Sequence, residues 1–193
     1  MTRVADLVGE APWFGGVHVF DGKRLLLTVG GENPEIPGPP PPRAHVRWIG
    51  GGPIGNESFL SCALREAEEE LGCAVEVEHT IDTIVELKPD HPGRVEVVDR
   101  PAPLLVQRYD NGSVVVIFRA RLLAEPRPVD VERLVWVPLD AVEPLCDGVA
   151  PADAKRLSIE VLGPPPRPEA SMFIGRGGAE HLLWRLGVDA AAP

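Results

Sequence analysis

Residues 51–73, GGPIGNESFLSCALREAEEELGC, constrain the fold of this chain more than any other stretch. A glycine-rich loop leads into a pattern of helical period from about Ser58 to Leu71, and Gly72 is placed to cap the C-terminus of the helix. The apolar residues form one stripe, which a second layer of structure has to cover. The predicted stripe consists of Leu60, Ala63, Leu64, Ala67 and Leu71.

The same helix crowds four carboxylates into five positions near its C-terminal end. At about 100° per residue, Glu66, Glu69 and Glu70 share one face, whereas Glu68 falls on a third face with Arg65. Like charges at i,i+3 and i,i+4 cost about 0.2–0.5 kcal/mol a pair, and the helix dipole disfavours carboxylates in the last turn. Local stability does not explain this arrangement. A hard divalent cation such as Mg²⁺ or Mn²⁺ does, and an acidic solvated face is the alternative.

The rest of the chain interleaves strands and helices. Hairpins are predicted over residues 17–29 and 104–122, with turns at Asp21-Gly22 and Asp110-Asn111-Gly112. The other predicted elements are a strand at 45–49, one long or two short strands at 74–87, a strand running into a helix at 132–145, and helices at 152–162 and 179–186. This order predicts an α/β fold with a mixed sheet and helices on its faces.

The 193 residues are enough for one sizeable core with a small appendage. We expect residues 1–162 to form one domain, and residues 163–193 to form a proline spacer and a C-terminal helix. The helix, AEHLLWRL, is so apolar that either its own domain or a second subunit in a homodimer must cover it. The proline-rich segments at 33–43 and 163–168 are typical of stiff surface loops, with recruitment of a proline-reading domain as the alternative.

Charge and hydropathy exclude several classes of protein. The net charge of −10 disfavours nucleic acid or an anionic membrane as the main partner. No run of about 18 apolar residues predicts a membrane span, and the first residues lack the apolar core of a signal peptide. Cys62, Cys73 and Cys146 show no metal-ligand spacing, which predicts a reduced, cytoplasmic protein.

The loop and acidic helix resemble the Nudix box, G-x5-E-x7-R-E-U-x-E-E-x-G-U, in which U is an apolar residue. All seven fixed letters occur at the spacing of the family, and a chance match at one given position is on the order of 10⁻⁸. A weaker likeness extends to the hairpin before the box and to the strand-to-helix segment after it. Ala67 and Cys73 are small for the U positions, and Asn56 and Gly50 replace a common Gly and Pro, but no ligand is lost.

The resemblance implies an α/β/α sandwich that hydrolyses a diphosphate bond in a nucleoside diphosphate derivative, with Mg²⁺ or Mn²⁺ as cofactor. The metal ligands that it implies are the carbonyl of Gly51 and the carboxylates of Glu66, Glu69 and Glu70. One of these glutamates is implied to help deprotonate the attacking water. Glu57 and Arg65 are implied to orient the loop against the helix.

The substrate is less constrained by the sequence. Pro89 lies sixteen residues beyond the box, at a position resembling one used by ADP-ribose pyrophosphatases, which slightly favours ADP-ribose or a nucleotide sugar. The alternatives are a (d)NTP, a dinucleoside polyphosphate, or a non-catalytic nucleotide-binding module. Candidates for stacking on a base are Trp13, Trp48, Trp136 and Tyr109. Candidates for binding phosphate are Arg94, Arg100 and Arg108. Candidates for an additional carboxylate are Glu125, Glu132, Asp147 and Asp153.

Overall fold

The apolar runs and their turn residues build a β-sheet with helices on both faces. The computed structural model describes residues 2–30, 43–164 and 170–188. The strands are β1 (Trp13–Asp21), β2 (Arg24–Val29), β3 (Arg43–Arg47), β4 (Ile49–Gly51), β5 (Val75–Glu78), β6 (Thr83–Glu86), β7 (Gly93–Val95), β8 (Leu105–Arg108), β9 (Val114–Leu122), β10 (Arg133–Pro138), β11 (Glu160–Leu162) and β12 (Ser171–Phe173). The helices are α1 (Val4–Val8), α2 (Phe59–Leu71), α3 (Val142–Asp147), α4 (Pro151–Ala154) and α5 (Ala179–Arg185).

The sheet is mixed, as the sequence predicts. Its main path runs β11-β10-β2-β1-β9-β8-β6-β7. At its centre β1 and β9 run parallel, with Trp13 opposite Val114 and Val19 opposite Ala120. The hairpin partners β1–β2 and β8–β9 are antiparallel. The short strand β4 pairs with the first half of β1, and this pairing brings the glycine-rich loop to the middle of the sheet.

Each face of the sheet has its own apolar layer. Helices α1 and α2 pack with the side chains of β1 that point to one face, including Val17 and Val19. On the other face, α3 packs with β2 side chains, and α5 packs with Val115 and Ile117 of β9. The alternation of side chains along the central strands therefore supplies both layers. The predicted α/β/α sandwich is confirmed.

Most of the predicted elements are confirmed at nearly their predicted bounds. Both hairpins form, α2 begins after Ser58, and residues 74–87 form two short strands. The single strand predicted at 45–49 is instead divided at Trp48 into β3 and β4. The stripe predicted for α2 is wrong at Leu64, which is 38% exposed, while Cys62 is fully buried. The loop before the helix covers Cys62, so the buried face is turned toward that loop.

The helix predicted at 152–162 is wrong. Helix α4 and a short 3₁₀ turn end at Ser158, whose φ of +55° lies in the left-handed region. The chain then enters β11, in which Val161 lies opposite Val135 of β10. Pairing with the edge of the sheet buries Ile159 and half-buries Val161, and this tertiary contact overrides the local helical pattern.

The C-terminal segment, defined here as residues 170–188, packs onto the sheet and α3. Met172 is buried in the layer around α3, and α5 buries Leu182 and Leu183 against β8 and β9. Trp184 and Leu186 stay 36% and 38% exposed. The domain division at residue 162 and the homodimer remain predictions. Residues 31–42 and 165–169, which carry most of both proline-rich segments, lie outside the described residues.

The helices of the described ranges include none with the length and apolar character needed to cross a membrane. The longest, α2, has 13 residues, and its C-terminal half carries four glutamates.

Candidate active site

Glycines in β1 and β4 allow the loop of residues 50–52 to lie directly on β1 and α2. A Cβ at Gly16 would lie 2.3 Å from the Ile49 carbonyl oxygen. A Cβ at Gly15 would lie 2.8 Å from the Phe59 carbonyl oxygen. Glycine inside a strand often marks such a close backbone approach. The Gly-Gly pair in β1 is thus the part of the sequence that makes room for the site.

The loop meets the acidic face of α2 at two glutamates. A Cβ at Gly51 would lie 2.4 Å from Oε1 of Glu66, so this carboxylate occupies the space that a side chain would fill. The backbone N–H of Gly50 donates to Oε2 of Glu70 at 2.9 Å. Proline, which lacks this N–H, could not make the second contact. Gly51, Glu66 and Glu70 therefore lie together.

Arg65 ties the loop to the helix. Its Nε donates to Oε1 of Glu57 at 2.8 Å, and its Nη2 donates to the Gly52 carbonyl at 2.8 Å. Its Nη1 donates to Glu66 at 2.8 Å and to Glu69 at 2.7 Å. The guanidinium lowers the pKa of the Glu57 carboxyl, since its hydrogen bonds favour the charged form. The long side chain of Arg65 thus reaches to the loop from the helix face that Arg65 was predicted to share with Glu68.

The four glutamates of α2 have different surroundings. Glu66 and Glu70 line a cavity, whereas Glu68 is exposed to solvent. The Glu69 side chain is 42% exposed and turns to Arg65. The structure brings Glu66 and Glu70 to the loop at Gly50 and Gly51. The roles of the Gly51 carbonyl, Glu66, Glu69 and Glu70 as metal ligands stay predictions.

Glu70 is the most buried of these carboxyl groups, at 6% exposure. Burial raises its pKa to about 7, although the Gly50 N–H favours the charged form. A cation close to a buried carboxylate offsets the cost of taking its charge out of water. This position therefore suits a bound metal ion.

A cavity of about 500 Å³ opens beside Glu66 and Glu70, and it is called the first cavity below. Phe14, Trp48 and Tyr109 supply aromatic walls, and Trp48 Nε1 donates to the Tyr109 hydroxyl at 3.1 Å. Arg47 contributes a cationic side chain. Carboxylates, a cation and aromatic surfaces in one cavity can bind a metal, a phosphate and a base.

The residues of the first cavity that sequence reasoning missed include Phe14, Arg47 and Glu180. Glu180 is 2% exposed, and its carboxyl accepts the backbone N–H of Trp48. Burial raises its pKa to about 7. No local signal identifies Glu180, because it lies on α5, more than a hundred residues after the acidic helix.

The structure separates the other sequence candidates. Of the aromatic candidates, Trp48 and Tyr109 line the first cavity. Trp13 instead packs on Phe59, with ring centroids 4.6 Å apart. Trp136 instead lies under the Arg24 guanidinium.

Three of the four candidate carboxylates are engaged in ion pairs elsewhere. Glu132 pairs with Arg133, Asp147 with Arg176, and Asp153 with Arg156. Glu180 is the carboxylate from outside α2 that lines the first cavity.

A second cavity, of about 590 Å³, adjoins the first. Tyr109, Asn111 and Gly178 lie in the walls of both. Arg108, a predicted phosphate-binding residue, lines this second cavity, as does Pro89. Arg100 instead donates to the carbonyls of Val97 and Asp99.

Glu143, Cys146 and His181 form a separate group whose potential ligand atoms lie within 4.8 Å of one another. Glu143 Oε2 contacts His181 Nε2 at 3.2 Å, and Glu143 Oε1 accepts from Arg176 at 2.8 Å. His181 Nδ1 accepts the Gly177 N–H at 3.4 Å, which leaves the ring proton on Nε2. Burial raises the pKa of the Cys146 thiol to about 11. Glu143 and His181 are thus hydrogen-bonded to each other and to neighbouring residues in the free protein.

A family model described as the NUDIX domain matches residues 11–158. Similar solved structures include a hydrolase of the Nudix family from Clostridium perfringens (14% identity, 69% of this chain and 85% of that one, TM-score 0.46). Others are an ADP-ribose pyrophosphatase from Streptococcus suis (18%, 67% and 75%, TM-score 0.42) and a MutT Nudix hydrolase from Burkholderia pseudomallei (24%, 68% and 85%, TM-score 0.41). A search of curated proteins found no match.

Proposed function

The chain belongs to the Nudix family of hydrolases, and we propose that it cleaves a diphosphate bond in a nucleoside diphosphate derivative with Mg²⁺ or Mn²⁺ as cofactor. One observation carries the proposal. Glu66 lies against Gly51, and Glu70 accepts the Gly50 N–H, at the wall of a cavity that also presents a cation and aromatic side chains.

The donor atoms at this wall suit a hard divalent cation. Carboxylate and carbonyl oxygens are the ligands that Mg²⁺ and Mn²⁺ prefer. Gly51 has no Cβ to hold the Glu66 carboxylate away from the loop, and Glu70 is a buried carboxylate. Glu69 would join them by exchanging its Arg65 contact for the ion. When bound, the metal neutralises the diphosphate and lowers the pKa of a bound water.

The side chains around these ligands have separate tasks. Glu57 holds the Arg65 guanidinium, which in turn fixes the loop through the Gly52 carbonyl. Arg47, at the cavity wall, supplies positive charge for a phosphate. Glu180 fixes the backbone of Trp48 just before the metal-binding loop, so we assign it a positioning role.

A nucleotide of the ADP-ribose or nucleotide-sugar type is the substrate that we propose. Trp48 and Phe14 give the first cavity surfaces on which a base can stack. The second cavity adjoins the first and gives room for a further group on the diphosphate.

We also propose a cytoplasmic location, which the free cysteines of the described residues fit.

The proposal is tested by incubating the protein with ADP-ribose, nucleotide sugars, dinucleoside polyphosphates and (d)NTPs, with and without Mg²⁺, and measuring nucleotide release. We expect metal-dependent cleavage, fastest with ADP-ribose or a nucleotide sugar. Preference for a (d)NTP or a dinucleoside polyphosphate would assign one of those substrates instead. Tight binding without cleavage of any compound would make the protein a nucleotide-binding module and refute the proposed activity.

A further inference from the structure

The second cavity is placed to receive whatever group extends from a diphosphate in the first. The two cavities share Tyr109, Asn111 and Gly178, so they adjoin each other. Residues 176–178 and His181 of the C-terminal segment form one of its walls. That segment lies outside the 11–158 family match.

The charges of the second cavity are balanced. Its cationic side chains are Arg108, Arg176 and Arg185, and its acidic side chains are Glu86, Asp90 and Asp110. Arg176 pairs with Glu143 and Asp147, and Arg185 pairs with Asp90 at 2.9 Å. Arg176 and Arg185 thus have anionic partners, and the three carboxylates of the lining offset the charge of the three arginines, so the cavity offers little net attraction for further phosphates. It suits a neutral, polar group.

Glu86 and Gln107 leave two acceptor atoms unused at the wall of this cavity. They lie opposite each other on β6 and β8 and are 5% and 2% exposed. Gln107 Nε2 donates to Glu86 Oε2 at 2.8 Å and to the Gly177 carbonyl at 2.9 Å. Within residues 2–30, 43–164 and 170–188, neither Glu86 Oε1 nor Gln107 Oε1 has a donor. Buried acceptors of this kind require a donor from a ligand or a water molecule.

We propose that the second cavity binds the sugar of a diphosphate-linked substrate, and that Glu86 and Gln107 select it by accepting hydrogen bonds from its hydroxyl groups. This inference rests on the proposed function, which places the diphosphate beside Glu66 and Glu70. A sugar fits better than a base, because the broad aromatic surfaces of Phe14 and Trp48 lie in the first cavity. The two acceptor atoms are shielded from water in the free protein. The proposal therefore requires both side chains to turn toward the cavity when the sugar binds.

The test compares ligands with and without the sugar. Affinities of ADP-ribose, ADP, UDP-glucose and UDP are measured by calorimetry with Ca²⁺ in place of Mg²⁺, since Ca²⁺ also bridges carboxylates and phosphates. The variants are Glu86→Gln, whose new amide can donate to Gln107 Oε1, and Gln107→Met, which removes the amide at similar volume. Glu160→Gln on β11 is the control, because its carboxylate pairs with Arg24 outside both cavities. Thermal unfolding checks that each variant is folded.

In the wild type and the Glu160→Gln control, we expect at least one sugar-bearing ligand to bind about tenfold or more tightly than its truncated partner. The ratio of the affinity of the sugar-bearing ligand to that of its truncated partner should fall to about two or less in Glu86→Gln, and in Gln107→Met if it folds. The ADP-ribose and UDP-glucose pairs distinguish a pentose from a hexose. A wild-type ratio near one, or an unchanged ratio in Glu86→Gln, overturns the inference. Metal-dependent hydrolysis, measured separately, shows whether the proposed function survives that result.

Discussion

Glu68 and Glu70 lie two residues apart on α2, yet one is exposed to solvent and the other is buried beside the loop. We expect Glu70→Gln to lower kcat by about 100-fold or more, because it removes the charge of a proposed metal ligand. Glu68→Gln, the matched control, should leave kcat within a few-fold of the wild type. Steady-state kinetics at saturating Mg²⁺ measure both values of kcat. Comparable losses in the two variants would show that the assignment of Glu70 to the cavity and of Glu68 to the solvent side of α2 is wrong.

How far single residues could be predicted depends on what fixes their position. The period of a helix fixes the direction of each Cα–Cβ bond, so the separation of Glu68 from Glu66 and Glu70 could be predicted. The helical period alone does not fix the position of the Arg65 guanidinium, because its long side chain reaches across to Glu57 and the Gly52 carbonyl. The family resemblance, not the period, implied this link between loop and helix. Leu64 was misplaced for a related reason, since the loop that covers Cys62 shifts the buried face of the helix.

The buried side chain of His18 should make the free energy of unfolding depend on pH. It is fully buried in β1, and neither ring nitrogen has a hydrogen-bond partner among the described residues. Burial lowers its pKa from 6.5 to about 3, so between these values the unfolded chain binds the proton and the folded chain does not. The contribution of the neutral His18 ring to the free energy of unfolding is therefore fully present above pH 6.5. It is lost as the pH falls, by about 1.4 kcal/mol per pH unit.

Replacing His18 by Leu should remove this dependence. As the pH falls from 6.5 to 5, the free energy of unfolding of the wild type should fall by about 2 kcal/mol relative to that of His18→Leu. Urea unfolding at several pH values measures the difference. Because Glu70 and Glu180 titrate in both proteins, their contributions cancel. A difference that does not change with pH would show that His18 is protonated in the folded state.

The loop and α2 act as one element, and their contact predicts opposite outcomes at adjacent glycines. A Cβ at Gly51 would lie 2.4 Å from Glu66 Oε1, whereas a Cβ at Gly52 would meet Phe14 at 3.8 Å, an ordinary contact. Gly51→Ala should therefore displace the Glu66 carboxylate and weaken Mn²⁺ binding by about 10–100-fold, with the fold intact. Gly52→Ala should bind Mn²⁺ like the wild type. Paramagnetic resonance of free Mn²⁺ measures both affinities, and equal affinities would take Glu66 out of the metal site.

Elements held by local signals were predicted correctly, and those held by distant partners were not. The hairpin turns, the start of α2 near Ser58 and the cap at Gly72 are features of short segments. Strand β11 forms because the edge of β10 is available to it. Strand β12 pairs in parallel with β3, more than a hundred residues earlier in the chain, and no local pattern specifies that pairing.

For the whole molecule, the C-terminal segment is the feature that the sequence constrained least. The predicted helix is confirmed as α5, but the sequence left open whether its domain or a second subunit covers it. The structure shows that α5 packs on β8 and β9, and that Glu180 lines the first cavity. Removing this segment would therefore change the site as well as the core. Point substitutions on α5 test its packing without that loss.

Two leucines on α5 form a matched pair for this test. Leu182 is 1% exposed and Leu186 is 38% exposed. We expect Leu182→Ala to lower the free energy of unfolding by about 2–5 kcal/mol, as for other fully buried leucines. Leu186→Ala should cost about 1 kcal/mol or less, because much of its side chain is already in water. Urea unfolding at two protein concentrations measures both values. If a second subunit covers α5, Leu186→Ala will cost nearly as much as Leu182→Ala, and the wild-type midpoint will rise with concentration, since association stabilises the folded state by mass action.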